Sequence, residues 1–320
     1  MRLWKNSPLD AMHLAYIVLQ FVTMLWMAHG WERFSLLGQV GSVALLVVIM
    51  WYNIVVIAHL FTHVPWFHAE WANDTVSMFN SINIGHSMQS YRLKHVRNHH
   101  VFHNDLEGQD ISSTYVAGVD GRHVHVSAFG YAFEGACLDM VSVIKTHLLF
   151  IRLWSVGTDE TLLRGLAVRS EPRRSHELRQ IQRDRIANFL GLVLLSFISW
   201  KWTLACYVPA LFIAVMLMSF QNYFEHYGAT PGERFANAVS YYGRLYNLLA
   251  FNDGYHQEHH LRPQAHWSTL PAVRLRYAEA LDEADRVISP VPAVVGFLRR
   301  AGPLRYRGTV TSGRVAAIDP

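Results

Sequence analysis

The chain has 320 residues and a formal net charge of +4, with 51% apolar and only 16% charged residues. Soluble domains usually carry about 25% charge, so this composition argues against an ordinary cytosolic globule and for a membrane protein. The positive charge is too mild for a nucleic-acid partner, and two isolated cysteines, Cys137 and Cys206, support neither a disulfide framework nor a thiolate metal site.

The first apolar run, 12–28, has only His13, Gln20 and Thr23 as polar interruptions and nearly matches the hydrocarbon thickness of a bilayer. It is preceded by MRLWKNSPLD and followed by HGWERF, without a small-residue cleavage pattern, so a retained span is expected. A short turn leads to a second span at 39–60, with His59 and His63 at its exit. Residues 61–185 are polar enough to lie outside the lipid, apart from an apolar stretch at 126–154 suited to the membrane interface. Between residues 151 and 190 the chain carries eight arginines against five acids. A third span at 186–200 and a fourth at 203–223 form a hairpin, with Lys201 and Trp202 at the turn and Pro209 as a possible kink. Segment 226–302 is polar again, and 303–320 is expected to be a disordered tail.

The expected fold is therefore an all-α membrane protein, one domain over 1–302, with four transmembrane helices in two hairpins and a helical cap from 61–185 and 226–302. Arg2, Lys5 and the arginines near the third span outnumber Arg33 and Lys201 on the opposite loops. The positive-inside rule then places the cap and both termini in the cytoplasm.

Histidine carries the chemistry of the cap. Residues 94–103 read KHVRNHHVFH, four imidazoles within nine positions. On a helix His95 and His99 share one face and His100 lies one residue around, so two or three nitrogens can converge on one point. Imidazole is a favoured ligand for first-row metals, whereas unligated neighbours would repel one another on protonation. Two further clusters outweigh the plain alternative of solvated surface histidines. His59 and His63, in AHLFTH, are an i,i+4 pair, and His256, His259 and His260, in GYHQEHH, have the spacing that lines one helical face.

With these residues in hand, the chain resembles the membrane-bound fatty acid desaturase superfamily, integral diiron enzymes with HxxxH, HxxxHH and HxxHH boxes. The resemblance runs from His59 to Pro263 and includes NDLEGQD after the second box and NYFEH after the fourth span. It implies nine metal ligands, His59, His63, His95, His99, His100, His226, His256, His259 and His260, with Asn222 reaching one metal through water. It also implies two non-haem iron ions, dioxygen as co-substrate, and insertion of a double bond into an acyl chain carried by lipid, coenzyme A or acyl carrier protein. His86 and His103 remain open as alternative ligands or as hydrogen-bond partners of the ligating rings. Asp105, Asp110, Glu225 and Glu258 are placed to orient ligands. Aromatic residues near the boxes, among them Trp71, Tyr242, Tyr246 and Trp267, are candidates to line a substrate tunnel.

The chain shows no haem segment, ferredoxin cysteine set or flavin motif, so a separate electron donor of ferredoxin or cytochrome b5 type is implied. The arginines between 164 and 185 suit such an acidic partner, an acyl carrier protein or the phosphates of coenzyme A, and equally serve as the topological signal, while membrane lipids are expected around the spans. Hydroxylase, acetylenase and carotenoid ketolase chemistry on the same scaffold stay open. A membrane haem or metal-binding protein is the non-enzymatic alternative, although His13 is the one histidine well within a span.

Overall fold

The computed structural model describes residues 3–117, 123–150, 158–298 and 305–306. In chain order the helices are α1 (Asp10–Gly30), α2 (Leu36–Tyr52), α3 (His59–His63), α4 (Glu70–Ile84), α5 (Met88–Lys94), α6 (His100–Phe102) and α7 (Ala128–Phe150). They continue as α8 (Thr158–Leu166), α9 (Arg173–Trp202), α10 (Val208–His226), α11 (Arg244–Leu249), α12 (His256–Leu261), α13 (Leu270–Arg276) and α14 (Ala278–Glu283). Two compact units divide them, residues 1–94 with 134–216, and residues 95–133 with 217–320.

The first unit holds the apolar helices except for residues 217–226 at the end of α10. Three helical runs are long and apolar enough to cross a membrane, Asp10–Arg33, Leu36–His63 and Arg173–His226. They contain all four expected apolar segments and extend beyond them. The third run, at 54 residues, far exceeds the roughly 20 that a bilayer requires. Its backbone becomes extended at Ser199 (φ −159°, ψ 100°), and the Ser196 hydroxyl meets Thr203 Oγ1 across that break at 3.3 Å. Lys201 Nζ pairs with Glu32 at 2.9 Å, which brings this break beside the turn that follows α1.

Polar groups, not apolar contacts alone, set how these helices pack. The Asn53 amide donates to Gln20 at 2.6 Å and to Asn80 at 2.8 Å, and Asn80 donates back to Asn53 at 2.9 Å. Gln20 and Asn83 donate in turn to the backbone carbonyls of Asn83 and Ile17. Asp184, fully buried, accepts from Ser77 Oγ, Ser87 Oγ, Gln89 N and Gln180 Nε2 at 2.8–3.0 Å. This carboxylate ties α9 to α4 and α5, which explains why α9 begins well before its apolar segment. Close approach of α4 and α9 also depends on Gly191, where a Cβ would stand 2.5 Å from Ile82. Gly85 ends α4 in the left-handed region (φ 77°) beneath Leu211.

The second unit departs from the all-α expectation by two small sheets. Strand β1 (Tyr115–Ala117) pairs antiparallel with β2 (His123–His125). Strand β3 (Val239–Ser240) pairs parallel with β4 (Arg286–Ile288), which pairs antiparallel with β5 (Arg305–Tyr306). Strands of two or three residues are too short for an alternating pattern to mark them in sequence. Strand β5 falls within the expected tail, whose other residues lie outside those described. Stretch 126–154 was expected at the interface. It is continuous helix as far as Phe150, where the described residues stop, and Phe129, Phe133, Val141 and Ile144 on it are exposed. Both cysteines are free thiols.

Replacing Asp184 with alanine strands four buried donors. We expect a loss of about 3 kcal/mol or more, read as a lowered melting temperature of the detergent-solubilised protein, whereas an exposed control such as Arg179→Ala changes little.

Candidate metal centre

The second histidine box does not sit on an ideal α-helix. Between α5 and α6 the backbone widens into a π-turn at His95–His99, a feature that recurs at functional sites. The widening re-pairs the rings. His95 Nε2 meets His100 Nε2 at 3.1 Å, while His99 Nε2 turns to His226 Nε2 at 3.1 Å. Two of the three nitrogens do converge, but they are those of His95 and His100 and not of the i,i+4 pair His95 and His99, because that spacing presumes 3.6 residues per turn.

Box three, on α12, divides in the same way. His256 Nε2 lies 3.4 Å from His226 Nε2, and His259 Nε2 lies 3.1 Å from His100 Nε2. Two separate nitrogen sets result within the second unit, and a third group, His100, His103 and His260, overlaps both. His99, His226, His256 and His260 are all buried, with ligand atoms within 4.8 Å of one another, and His95, His100 and His259 meet the same distance limit. His59 and His63 belong to the first unit, where both are buried on α3 with ring centroids 5.0 Å apart. A π-turn, Asn53–Ala58, precedes them.

The donor chemistry fits a first-row metal. These sets contain no thiolate or carboxylate. Nitrogens bound at about 2.1 Å to one ion, at angles near 90–110°, stand about 3.0–3.4 Å apart, the separations seen here. His260 Nε2 is buried without a hydrogen-bond partner, a situation that costs about 1–3 kcal/mol unless something takes its lone pair. Burial and the neighbouring His256, His226, His99 and His103 push the His260 pKa well below its ordinary value. Burial and His99 likewise lower His103. Both rings are neutral at physiological pH, the state a ligand requires.

The outer nitrogens of two rings have defined acceptors. His99 Nδ1 donates to Asp110 Oδ2 at 2.8 Å, and His226 Nδ1 to the Asn237 carbonyl at 3.1 Å. Asp110 also accepts from Asn104 N, Ser112 N and Ser112 Oγ. Burial alone would raise its pKa, yet His99 and these donors hold it well below the usual carboxylate range. His103, in the left-handed region (φ 52°), places Nδ1 3.1 Å from His260 Nδ1. Among the described residues His86 joins no histidine group, and its Nδ1 lies 3.1 Å from the Ile84 carbonyl.

The other expected acids act differently. Asp105 accepts from the backbone N–H groups of Gln109 and Asp110 and shapes their loop. Glu225 stands 3.8 Å from His256 Nε2. Glu258 accepts from Ser240 Oγ at 2.9 Å and Tyr242 Oη at 2.6 Å. Buried Arg286 donates to Tyr242 at 2.8 Å and to Asp282 at 2.9 Å, and Arg274 shares that same Asp282 oxygen. A polar chain thus braces α12 from behind. Burial and the adjacent Glu258 hold the Tyr242 hydroxyl far above its usual pKa, so it remains a donor. Asn222 donates to Tyr131 Oη at 2.7 Å, and Tyr131 donates to the Ser112 carbonyl at 2.8 Å.

Sequence reading missed Ser112, Tyr131, Asn237 and Arg286; the Asn222–Tyr131 and Arg286–Tyr242 bonds join residues distant in the chain, whereas Ser112 to Asp110 and Arg286 to Asp282 are local pairs of ordinary spacing. Of the aromatic tunnel candidates, Trp71 is exposed, Tyr242 and Tyr246 donate to Glu258 and Asp253, and Trp267 packs edge-on to Phe251.

Apolar helices of membrane length and clusters of buried imidazoles that could hold a metal ion define a class, a helical protein rich in histidine. The chain belongs to the fatty acid desaturase family, whose profile, Fatty acid desaturase, matches residues 34–292, as the histidine boxes led us to expect. The family is one of membrane-bound oxidoreductases. A sphingolipid delta(4)-desaturase of Candida albicans is 46% identical over 54 residues, 17% of this chain and 14% of the relative. Sphingolipid delta(4)-desaturase DES1 of Homo sapiens is 40% identical over 74 residues, 23% of this chain and 22% of the relative. The sphingolipid delta(4)-desaturase of Komagataella phaffii is 33% identical over 90 residues, 26% of this chain and 25% of the relative. The matched segments therefore span a quarter or less of these relatives. No solved structure matches the chain.

Asp110→Asn should lower metal affinity by about 10–100-fold, measured by competition with a chromophoric chelator. The metal-free protein should lose stability as pH falls below about 6.5, because unfolded histidines bind protons that buried His260 and His103 do not. Thermal unfolding of chelator-treated protein between neutral and mildly acid pH measures that slope.

Proposed function

We propose that the protein is a membrane-bound, dioxygen-dependent desaturase that introduces a double bond into the hydrocarbon chain of a lipid. The observation that carries this reading is the all-imidazole set His99, His226, His256 and His260, buried and spaced as ligands of one ion. His95, His100 and His259 supply a second position, and the three-box pattern of the family supports His59 and His63 as further ligands. Nine neutral donors leave the positive charge of two irons uncompensated, which suits dioxygen chemistry better than a thiolate set would. When bound, the irons supply the reduction of dioxygen coupled to removal of two hydrogens from adjacent methylenes, with two electrons from a separate ferredoxin or cytochrome b5 type donor.

The chain's own residues position and protect. Asp110 and the Asn237 carbonyl fix the tautomers of His99 and His226, so each presents Nε2 inward. The braces from Tyr242 and Arg286 hold α12, and burial of the rings keeps bulk water from them. Asn222, one turn before His226, is the candidate for a water-mediated contact.

The same reading includes four spans in two hairpins, with the break at Ser199 as the second hairpin turn, and the histidine side and both termini in the cytoplasm. The similarity to sphingolipid delta(4)-desaturases supports a sphingoid or fatty acyl chain as substrate.

The test is to express the protein with a competent electron donor in a host without desaturases, and to profile fatty acids and long-chain bases. New unsaturated chains should accumulate with the intact protein and be undetectable with His259→Ala. Hydroxylated products would reassign the site to a sister chemistry, and an unchanged profile from iron-loaded protein across both lipid classes would refute the proposal.

A further inference from the structure

Directly beyond the third histidine box lies a cavity of about 440 Å³, with Leu261, Arg262, Pro263, Val273, Arg276 and Tyr277 in its walls. Arg262 closes α12, its backbone N–H donating to the carbonyls of Glu258 and His259. Its Nε donates to Tyr277 Oη at 2.9 Å, and Nη2 reaches the same oxygen. The Arg262 and Arg276 guanidinium carbons stand 5.5 and 5.7 Å from the centroid of that one tyrosine ring.

Two cations gathered on one ring repel each other, and each ring contact returns only about 0.5–1 kcal/mol at an exposed site. Elsewhere in this unit the chain answers such a pair with an acid: Arg274 and Arg286 share Asp282 at 2.6 and 2.9 Å. Arg262 and Arg276, which unlike the buried Arg274 and Arg286 are exposed, have no such partner among the described residues. Among the described residues no carboxylate lies within 4.0 Å of either one. Most of their N–H donors are unspent, in the planar geometry that matches a phosphate in pairs. Leu261, Pro263, Ala265 and Val273 line the rest with Gln264, and Leu275, between Arg274 and Arg276 in the chain, is 77% exposed.

We propose that this cavity is a binding site for a phosphate ester, with Arg262 and Arg276 as the anion clamp and Tyr277 as the platform that holds them together. A membrane phospholipid headgroup and a soluble phosphoester present the same chemistry to it. The site is distinct from the histidine sets, and its occupancy does not depend on the proposed desaturation.

Native mass spectrometry of the full chain, released from detergent after exposure to phosphatidic acid, phosphatidylcholine or glycerol 3-phosphate, tests this. The wild-type protein should retain a phosphate-ester adduct, and Arg262→Gln/Arg276→Gln should retain about tenfold less. Retention of phosphatidic acid that glycerol 3-phosphate does not displace assigns the site to a lipid headgroup, and displacement assigns it to a soluble phosphoester. Absence of any adduct on the wild type, or equal retention by the double variant, overturns the proposal. Circular dichroism confirms the fold of the double variant, and Arg276→Gln alone, which leaves the Arg262–Tyr277 bonds intact, serves if that fold is lost.

Discussion

Burying a crowd of imidazoles is the constraint on which the rest of this protein depends. Nitrogens 3.1–3.4 Å apart cannot all carry protons, and an apolar surround opposes charge on any of them. Burial and the neighbouring rings push His260 and His103 toward the neutral form, and the outward N–H of each ligating ring needs an acceptor. Asp110 and the Asn237 carbonyl meet that need for His99 and His226. The lone pair of His260 Nε2, buried and unmatched by any donor, is tolerable where a cation completes it.

Sorting the clustered imidazoles of one unit into separate nitrogen sets requires more than helical periodicity. A regular helix would hold His95 and His99 together. The π-turn instead lets His95 reach His100 and releases His99 toward His226. On α12 the division needs no distortion: His256 and His260, four apart, fall in one set and His259 in the other. One backbone irregularity thus divides a sequence cluster between two distinct nitrogen sets.

The apolar helices show the complementary economy. A helix of leucine and valine packs without much orientational preference in lipid, where surrounding tails are as apolar as the helix itself. The Gln20–Asn53–Asn80 amides and the Asp184 carboxylate supply direction, because each is buried and has to meet its partners within the protein. Register in the first unit is set by those few polar groups, and the residues that contact them, such as Gln89 and Ser87, lead directly into the second histidine box.

Composition, the apolar runs and the spacing of the boxes determined the class of this protein, because membrane length and ligand type are local properties of the chain. They located every histidine of the two nitrogen sets and identified Asp110 among the orienting acids. Tertiary structure alone decided which histidines share a set, that Asp105 and Glu258 bind elsewhere, and that Tyr131, Asn237 and Arg286 stand behind the site. It also supplied the two small sheets and the arginine-lined cavity at Tyr277. Those features arise from contacts between distant residues and from a local change in helical pitch, neither of which a one-dimensional pattern encodes.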